Sequence, residues 1–210
     1  MTINNKTVLA IIPARAGSRR CPQKNTTLYQ GRSLIDRAID HALASEYIDQ
    51  TVVSSDDPNI LLIAAQRLVI PLPRPDYLSN HDAKSEAVIL HALYHLPPPQ
   101  DSYTPAPIPD LFVLLQPTSP LRTTNDIDSA LELAFSSSPF SSHLSTIVSV
   151  NQETQKRNGA IYISESKRFL ARLDLDADRS YKMHPSRSLD IDYPQDFFTT
   201  YTTQGSWKLP

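Results

Sequence analysis

Short apolar runs alternate with amphipathic stretches along this chain. Thr7 to Pro13 (TVLAIIP) is continuously apolar and closed by proline, the pattern of a strand buried on both faces. After a polar, basic loop to Gly31, Ser33 stands as an N-cap before Leu34, Ile35, Ala38, Ile39, Ala42 and Leu43, which share one helical face. Gln50 to Ser55 is short and β-branched. Asp57 and Pro58 supply a cap and a first helical position for the stripe Ile60, Leu61, Ile63, Ala64 and Leu68. Ser85 to Leu96 repeats the helical period, Leu111 to Leu115 forms another buried strand, and Ile127 to Phe135 is a further helix with Asn125 as its cap. Ser145 to Val150 and Ala160 to Ser164 complete the strands, and Pro194 to Tyr201 makes a short closing helix. This alternation predicts a three-layer α/β/α fold, Rossmann-like, around a mostly parallel sheet. Ligands in such sheets bind at the carboxyl ends of the strands.

Length and composition narrow the picture. At 210 residues the chain suits one domain, 1–210. Prolines number 18 against 4 glycines, and the segment Leu96 to Pro109 (LPPPQDSYTPAPIP) has no apolar period, so residues 96–109 form an extended insertion. Twenty basic against 22 acidic residues leave no basic excess of the kind nucleic-acid binders carry, so any phosphate site is local. The single cysteine, Cys21, has no internal disulfide partner, and no apolar run approaches the ~18 residues of a membrane span. A cytoplasmic protein with no nucleic-acid or membrane partner is expected.

Three segments carry candidate chemistry. Beyond the first strand, PARAGSRRCPQKN places Arg15, Arg19, Arg20 and Lys24 around Gly17 and Ser18. These cations suit a polyphosphate, the alternative being a solvated basic loop; the segment is neither a Walker loop nor a dinucleotide fingerprint. LLQPTSPLR sets Gln116, Thr118 and Ser119 just past a buried strand, where they either hold a sugar or ribose or cap a local turn. In SLDIDYPQD, Asp190 and Asp192 fall on one face of an extended segment while Leu189 and Ile191 anchor the other. Such a pair is either a Mg2+ site shared with substrate phosphates or two solvent-facing aspartates.

IIPARAGSRRCPQKN, VVSSDD, RPDYLSNHDAKSEAVILHAL, LLQPTSPLR, NGAIYIS and SLDIDYPQDF, in that order, resemble the acylneuraminate cytidylyltransferase family, which includes the legionaminic and pseudaminic acid enzymes. The resemblance implies transfer of CMP from CTP to the anomeric hydroxyl of a nine-carbon acidic sugar, with Mg2+ and release of pyrophosphate. It assigns Arg15, Ser18, Lys24 and Asn25 to the CTP phosphates and ribose, and Arg74, Ala83 and Ser85 to the cytidine. Arg19 stands where the family usually has a lysine important for transfer, keeping the charge but exchanging an ammonium for a planar fork. Gln116, Thr118 and Ser119 match the sugar-facing turn, Asn158 and Tyr162 lie in the matching NGAIYI segment, and Asp190 and Asp192 match the metal ligands. Around His81 and Asp82 the family's aspartate is displaced by one residue.

Between Val150 and Asn158 the family generally carries a dimerisation arm and sugar-binding groups, whereas here only NQETQKR remains, shortening 151–157. A homodimer with a reduced interface is the expectation, and Lys156 or Arg157 is placed to replace a lost cation for the sugar carboxylate. The alternatives are a cytidylyltransferase for another acidic sugar such as Kdo, and a degenerate nucleotide-binding homologue without turnover.

Overall fold

The computed structural model describes residues 5–98, 104–136, 144–202 and 207–208. The first apolar run forms β1 (Val8–Pro13), and a small hairpin, β2 (Leu28–Tyr29) and β3 (Arg32–Ser33), turns at Gln30–Gly31. Ser33 caps α1 (Leu34–Leu43) by accepting the Asp36 N–H, a contact worth ~1 kcal/mol. β4 (Gln50–Ser55) follows, and Asp57 caps α2 (Pro58–Gln66), whose first residue is the expected proline. Then come β5 (Ile70–Pro73), α3 (Ser85–Tyr94), β6 (Leu111–Leu114) and α4 (Thr124–Phe135). The second half holds β7 (Ile147–Asn151), β8 (Arg157–Glu165), α5 (Ser166–Arg172) and β9 (Arg179–Met183), with a last pair β10 (Thr200–Tyr201) and β11 (Trp207–Lys208).

Seven strands make one sheet in the order β5-β4-β1-β6-β8-β7-β9, and β8 alone runs against its neighbours β6 and β7. Alternate residues of β1 point to opposite faces. Val8, Ala10 and Ile12 pack with Ile35 and Ile39 of α1, Ile60 of α2 and Ile127 and Leu131 of α4. Leu9 and Ile11 pack with Ile89 and Leu93 of α3 and Phe169 of α5 on the other side. The expected three layers are present, with a core on each face of the sheet.

Two boundaries differ from expectation. Asn125 does not cap α4. Thr123 does, because its hydroxyl accepts the Asp126 N–H while the Asp126 carboxylate accepts the Thr123 N–H, and this reciprocal box starts the helix at Thr124. The closing helix is a 3-10 turn over Pro194–Phe198, after which Thr199 is extended and Thr200–Tyr201 pair with Trp207–Lys208. The pattern also left β5, α5 and β9 unseen. β5 and β9 are edge strands; Pro71 and Pro73 in β5 forgo donors that an edge can spare, and β9 buries only Met183 fully.

Of the insertion 96–109, residues 99–103 lie outside the described residues; Pro97, Pro98 and 104–109 adopt no regular element. The shortened region is a turn: Asn151 accepts the Glu153 and Thr154 N–H groups, and Arg157 already pairs with Val150. No helix among the described residues is long and apolar enough to cross a membrane.

Asp126 is fully buried and accepts two hydrogen bonds from Arg187 Nε, at 3.2 and 2.9 Å, one from Arg187 Nη2 at 3.0 Å and one from the Tyr181 hydroxyl at 3.1 Å. Burial by itself would raise its carboxyl, yet Arg187 and the Thr123 N–H and hydroxyl together hold it below the ordinary value. A depressed carboxyl stabilises the fold above its unfolded pKa of about 4, and that contribution disappears as pH falls through the folded value. Asp126→Asn should therefore lower stability at pH 7 by about 3 kcal/mol and flatten its decline on acidification, read from urea titrations at pH 7 and pH 4.

Candidate active site

The loop after β1, residues 14–25, lies at the carboxyl edge of the sheet and is held there by its neighbours. Ala16 N–H donates to Asp56 Oδ1 at 2.8 Å, Asn25 Nδ2 donates to the Arg15 carbonyl at 3.0 Å, and Cys21 N–H donates to Ser18 Oγ at 3.3 Å. Asn25 and Cys21 are buried and anchor the loop, whose Arg19 and Arg20 are exposed and whose Arg15 and Lys24 are half-buried. Arg15 Nη1 reaches the Asn80 carbonyl at 2.9 Å and Arg19 Nη2 meets His81 Nδ1 at 3.2 Å, which ties the loop to residues 80–82. Beside them lies a cavity of about 500 Å3 lined by Tyr77, Asn80, Ala83, Ala87 and Leu90, with Ser85 opening α3 next to it. Arg74 is buried beyond the end of β5, donating through Nε to Ser54 Oγ at 3.1 Å and through Nη2 to the Ser54 carbonyl at 2.7 Å. Burial pushes it down to about 10, with Asp56 opposing and Arg15 adding to the fall, so it stays charged at neutral pH.

On the other side of the loop stands the aspartate pair. Lys24 Nζ donates to the Ile191 carbonyl at 3.1 Å and to Asp192 Oδ1 at 3.3 Å, while Arg20 Nη1 donates to Asp192 Oδ2 at 3.1 Å and stacks 5.2 Å from the Tyr193 ring centroid. Asp196 Oδ2 accepts the N–H groups of Asp192 and Tyr193 at 2.8 and 2.7 Å and fixes the backbone there. Leu189 and Ile191 are buried as expected, and the Ile191 N–H donates to the Thr118 carbonyl at 2.8 Å, joining this segment to the LLQPTSPLR loop. Asp190 keeps its surface open to solvent while protein crowds it on the Thr118 side. Its carboxyl is raised mainly by desolvation, with repulsion from Asp192 and Asp196 added and the Thr118 hydroxyl and Lys24 opposing.

Gln116 and Asp190 converge on Gly159. A Cβ at Gly159 would sit 3.3 Å from Gln116 Oε1 and 3.7 Å from Asp190 Oδ2, and its φ of +72° is a conformation that other residues adopt at a cost. Ser119, also buried, reaches the Asn158 carbonyl at 3.5 Å. Asn158 is committed to the scaffold: its side chain engages Ser149 Oγ at 2.6 Å, Ser188 Oγ at 3.1 Å and Met183 Sδ at 3.2 Å. Burial raises the Tyr162 hydroxyl, Arg157 opposes, and Asp190 and Glu86 add to the rise, which places Tyr162 in electrostatic reach of this cleft.

Several groups that shape the site carried no role in the sequence reading. Arg20 was visible as a loop cation, but its pairing with Asp192 spans 172 positions. Asp196 could have been found as an acid three residues after Tyr193, at the third position of a proline-led turn. Arg122 is 1% exposed, and its Nη1 donates to the Gln116 and Ala160 carbonyls at 3.2 and 2.7 Å. Nothing in its local sequence signals that burial.

A cationic loop and a carboxylate pair meet at the carboxyl edge of an α/β/α sheet, the fold of solved nucleotidyltransferases. The cytidylyltransferase family model matches residues 9–174, and the chain belongs to that family. CMP-N,N'-diacetyllegionaminic acid synthase of Legionella pneumophila is 30% identical, covering 92% of this chain and 94% of that protein. Pseudaminic acid cytidylyltransferase of Campylobacter jejuni is 36% identical over 59% of this chain, which spans about half that protein, 51%. Among solved structures, CMP:2-keto-3-deoxy-manno-octonic acid synthetase complexed with CTP superposes with a TM-score of 0.66 at 14% identity, covering 90% of this chain and 94% of that one, and so shares the fold. Cytidylyltransferases of this kind generally use a divalent metal.

Gly159→Ala should displace Gln116 or Asp190 and strain the backbone, lowering stability by about 1–2 kcal/mol in a urea titration, whereas Gly17→Ala, with nothing within 4 Å of its Cβ, should change it by under about 1 kcal/mol.

Proposed function

We propose that this chain transfers CMP from CTP to the anomeric hydroxyl of a sialic-acid-like nine-carbon acid and releases pyrophosphate. The observation that carries the reading is the meeting of Lys24 and Asp192 beside Asp190, Thr118 and Gln116, which brings a phosphate-binding cation, a carboxylate pair and hydrogen-bonding side chains to one edge. Arg15, Arg19 and Lys24 take the phosphates, with Ser18 and Asn25 holding their loop, and Arg74 with the Ala83–Ser85 segment frames the cytidine. Gln116, Thr118, Ser119 and Tyr162 face the acceptor.

Asp190 and Asp192 offer hard oxygen ligands, and a bound cation would relieve their mutual repulsion. Two carboxylates suit Mg2+, which takes one or two such ligands and completes its shell with water and substrate phosphates. When bound, Mg2+ lowers the acceptor hydroxyl's pKa and neutralises charge on the reacting phosphate. The anomeric oxygen attacks the α-phosphorus in line, the bond to the bridging oxygen breaks, and Arg15, Arg19 and Lys24 balance the departing pyrophosphate. The loop after β1, the loop after β6 and the start of β8 all meet at one edge of a single sheet, so 1–210 acts as one catalytic domain, in keeping with a cytoplasmic enzyme.

Pyrophosphate release from CTP and Mg2+, with N-acetylneuraminic, legionaminic and pseudaminic acid supplied in turn, tests this. One acid should give release and the matching CMP-sugar by mass; silence with all of them while CTP still binds would instead mark a nucleotide-binding homologue without turnover. Asp192→Asn should reduce turnover by at least about a hundredfold while circular dichroism shows the fold retained, and near-normal activity in that variant would remove Asp192 from the reaction.

A further inference from the structure

Arg19 stands on the exposed rim of the phosphate loop, with a long side chain that water leaves free to rotate. The structure gives it a fixed partner. Its Nη2 lies 3.2 Å from His81 Nδ1, and His81 Nε2 lies 3.1 Å from Asp82 Oδ1. A guanidinium has only donors, so His81 Nδ1 accepts and the imidazole proton sits on Nε2, where Asp82 accepts it. The Arg19 contact requires an unprotonated Nδ1, and the Asp82 contact is compatible with the tautomer that results. The turn that presents the ring is itself fixed: Asn80 Oδ1 accepts the Asp82 N–H at 2.9 Å, Asn80 Nδ2 donates to the Tyr77 carbonyl at 2.9 Å, and the Asn80 carbonyl accepts Arg15 Nη1 at 2.9 Å.

We infer that His81, oriented by Asp82, is a positioning residue that sets the plane of the Arg19 guanidinium for the phosphates of the transferred nucleotide. This rests on the proposed transfer reaction in assigning Arg19 to the phosphates. Orientation matters for this cation because a planar fork binds phosphate through paired N–H groups only when its plane is correct. The side chains of His81 and Asp82 are 44% and 81% exposed, so the contact adds little to stability and acts on geometry.

The test combines kinetics with a direct view of the ring. His81→Ala should lower kcat by about tenfold or more while the KM for CTP changes by less than about threefold, the loss expected when a group is misplaced but not removed. His81→Asn, whose amide oxygen can accept where Nδ1 does, should restore most of kcat, and His81→Ala should have no added effect in an Arg19→Ala background. In 15N NMR of the free protein, His81 should carry its proton on Nε2, and Arg19→Ala should release that preference. Unchanged kcat in His81→Ala, equal losses in the Asn and Ala variants, or a proton on Nδ1 in the wild type would overturn the inference. Should no acid sugar support turnover in the wild type, the proposed function fails by that result, and the tautomer with its response to Arg19→Ala still decides whether His81 holds Arg19.

Discussion

A guanidinium buried where water cannot reach it fixes the geometry of this molecule. Arg122 is 1% exposed, and its Nη1 binds the carbonyls of Gln116 and Ala160, so the loop that follows β6 is pinned to β8. Burial pushes it down to about 10, against attraction from Asp126, and it remains a cation at neutral pH. Taking a charge out of water costs several kcal/mol, and hydrogen bonds to carbonyls return only part of that. The gain is therefore positional. Asp126 supplies the compensating charge and is itself gripped by Arg187, which leads through Ser188 into Asp190 and Asp192. One chain of charges, Arg122 to Asp126 to Arg187, links the loop bearing Gln116 and Thr118 to the segment bearing both aspartates. His41 shows the reach of this arrangement, since its own burial and then the Arg122 charge push it down to about 4 and keep it neutral.

The reversal of β8 explains why those loops meet. The carboxyl ends of β1, β4, β5 and β6 lie along one edge because these strands are parallel, and β8, running the other way, brings its amino-terminal residues to that same edge. Tyr162 pairs with Leu114 near the end of β6, and the residues before it, Arg157 to Gly159, continue toward the cleft. A parallel strand at this place would have presented its carboxyl end instead and put Gly159 at the far side of the sheet. Gly159 is then the point of closest approach, where absence of a side chain lets Gln116 and Asp190 share one floor.

Much of this architecture was legible because it depends on local rules. The run through β1, the Ser33 and Asp57 caps and the β-branched β4 signal their states within a few residues. The cationic loop announced itself by the clustering of Arg15, Arg19, Arg20 and Lys24 past the end of a strand. What escaped depends on neighbours distant in sequence. β5 was hidden because proline argues against a strand unless the strand is known to be an edge, and edge status is a property of the assembled sheet. Asn125 was a sound cap by residue type, yet Thr123 prevailed because Asp126, three residues on, could return the hydrogen bond. No local pattern tells a buried arginine from a surface one, and the partner that makes Asp126 tolerable lies 61 residues away.

The electrostatic balance at the cleft follows from the same geometry. Asp192 is bracketed by Lys24 and Arg20, while Asp190 faces Thr118 with desolvation raising its carboxyl. The two carboxylates are thus unequal: one is compensated by protein cations and the other is left to repel it. Lys24 cannot fully serve both, because its ammonium is also engaged by the Ile191 carbonyl. An arrangement of this kind keeps a demand for positive charge at Asp190 while Arg15 and Arg19 stay directed to the 80–82 turn on the opposite side of the loop. The loop that carries all four cations is held in place by the Asn25 amide on the Arg15 carbonyl and by the Cys21 N–H on Ser18 Oγ.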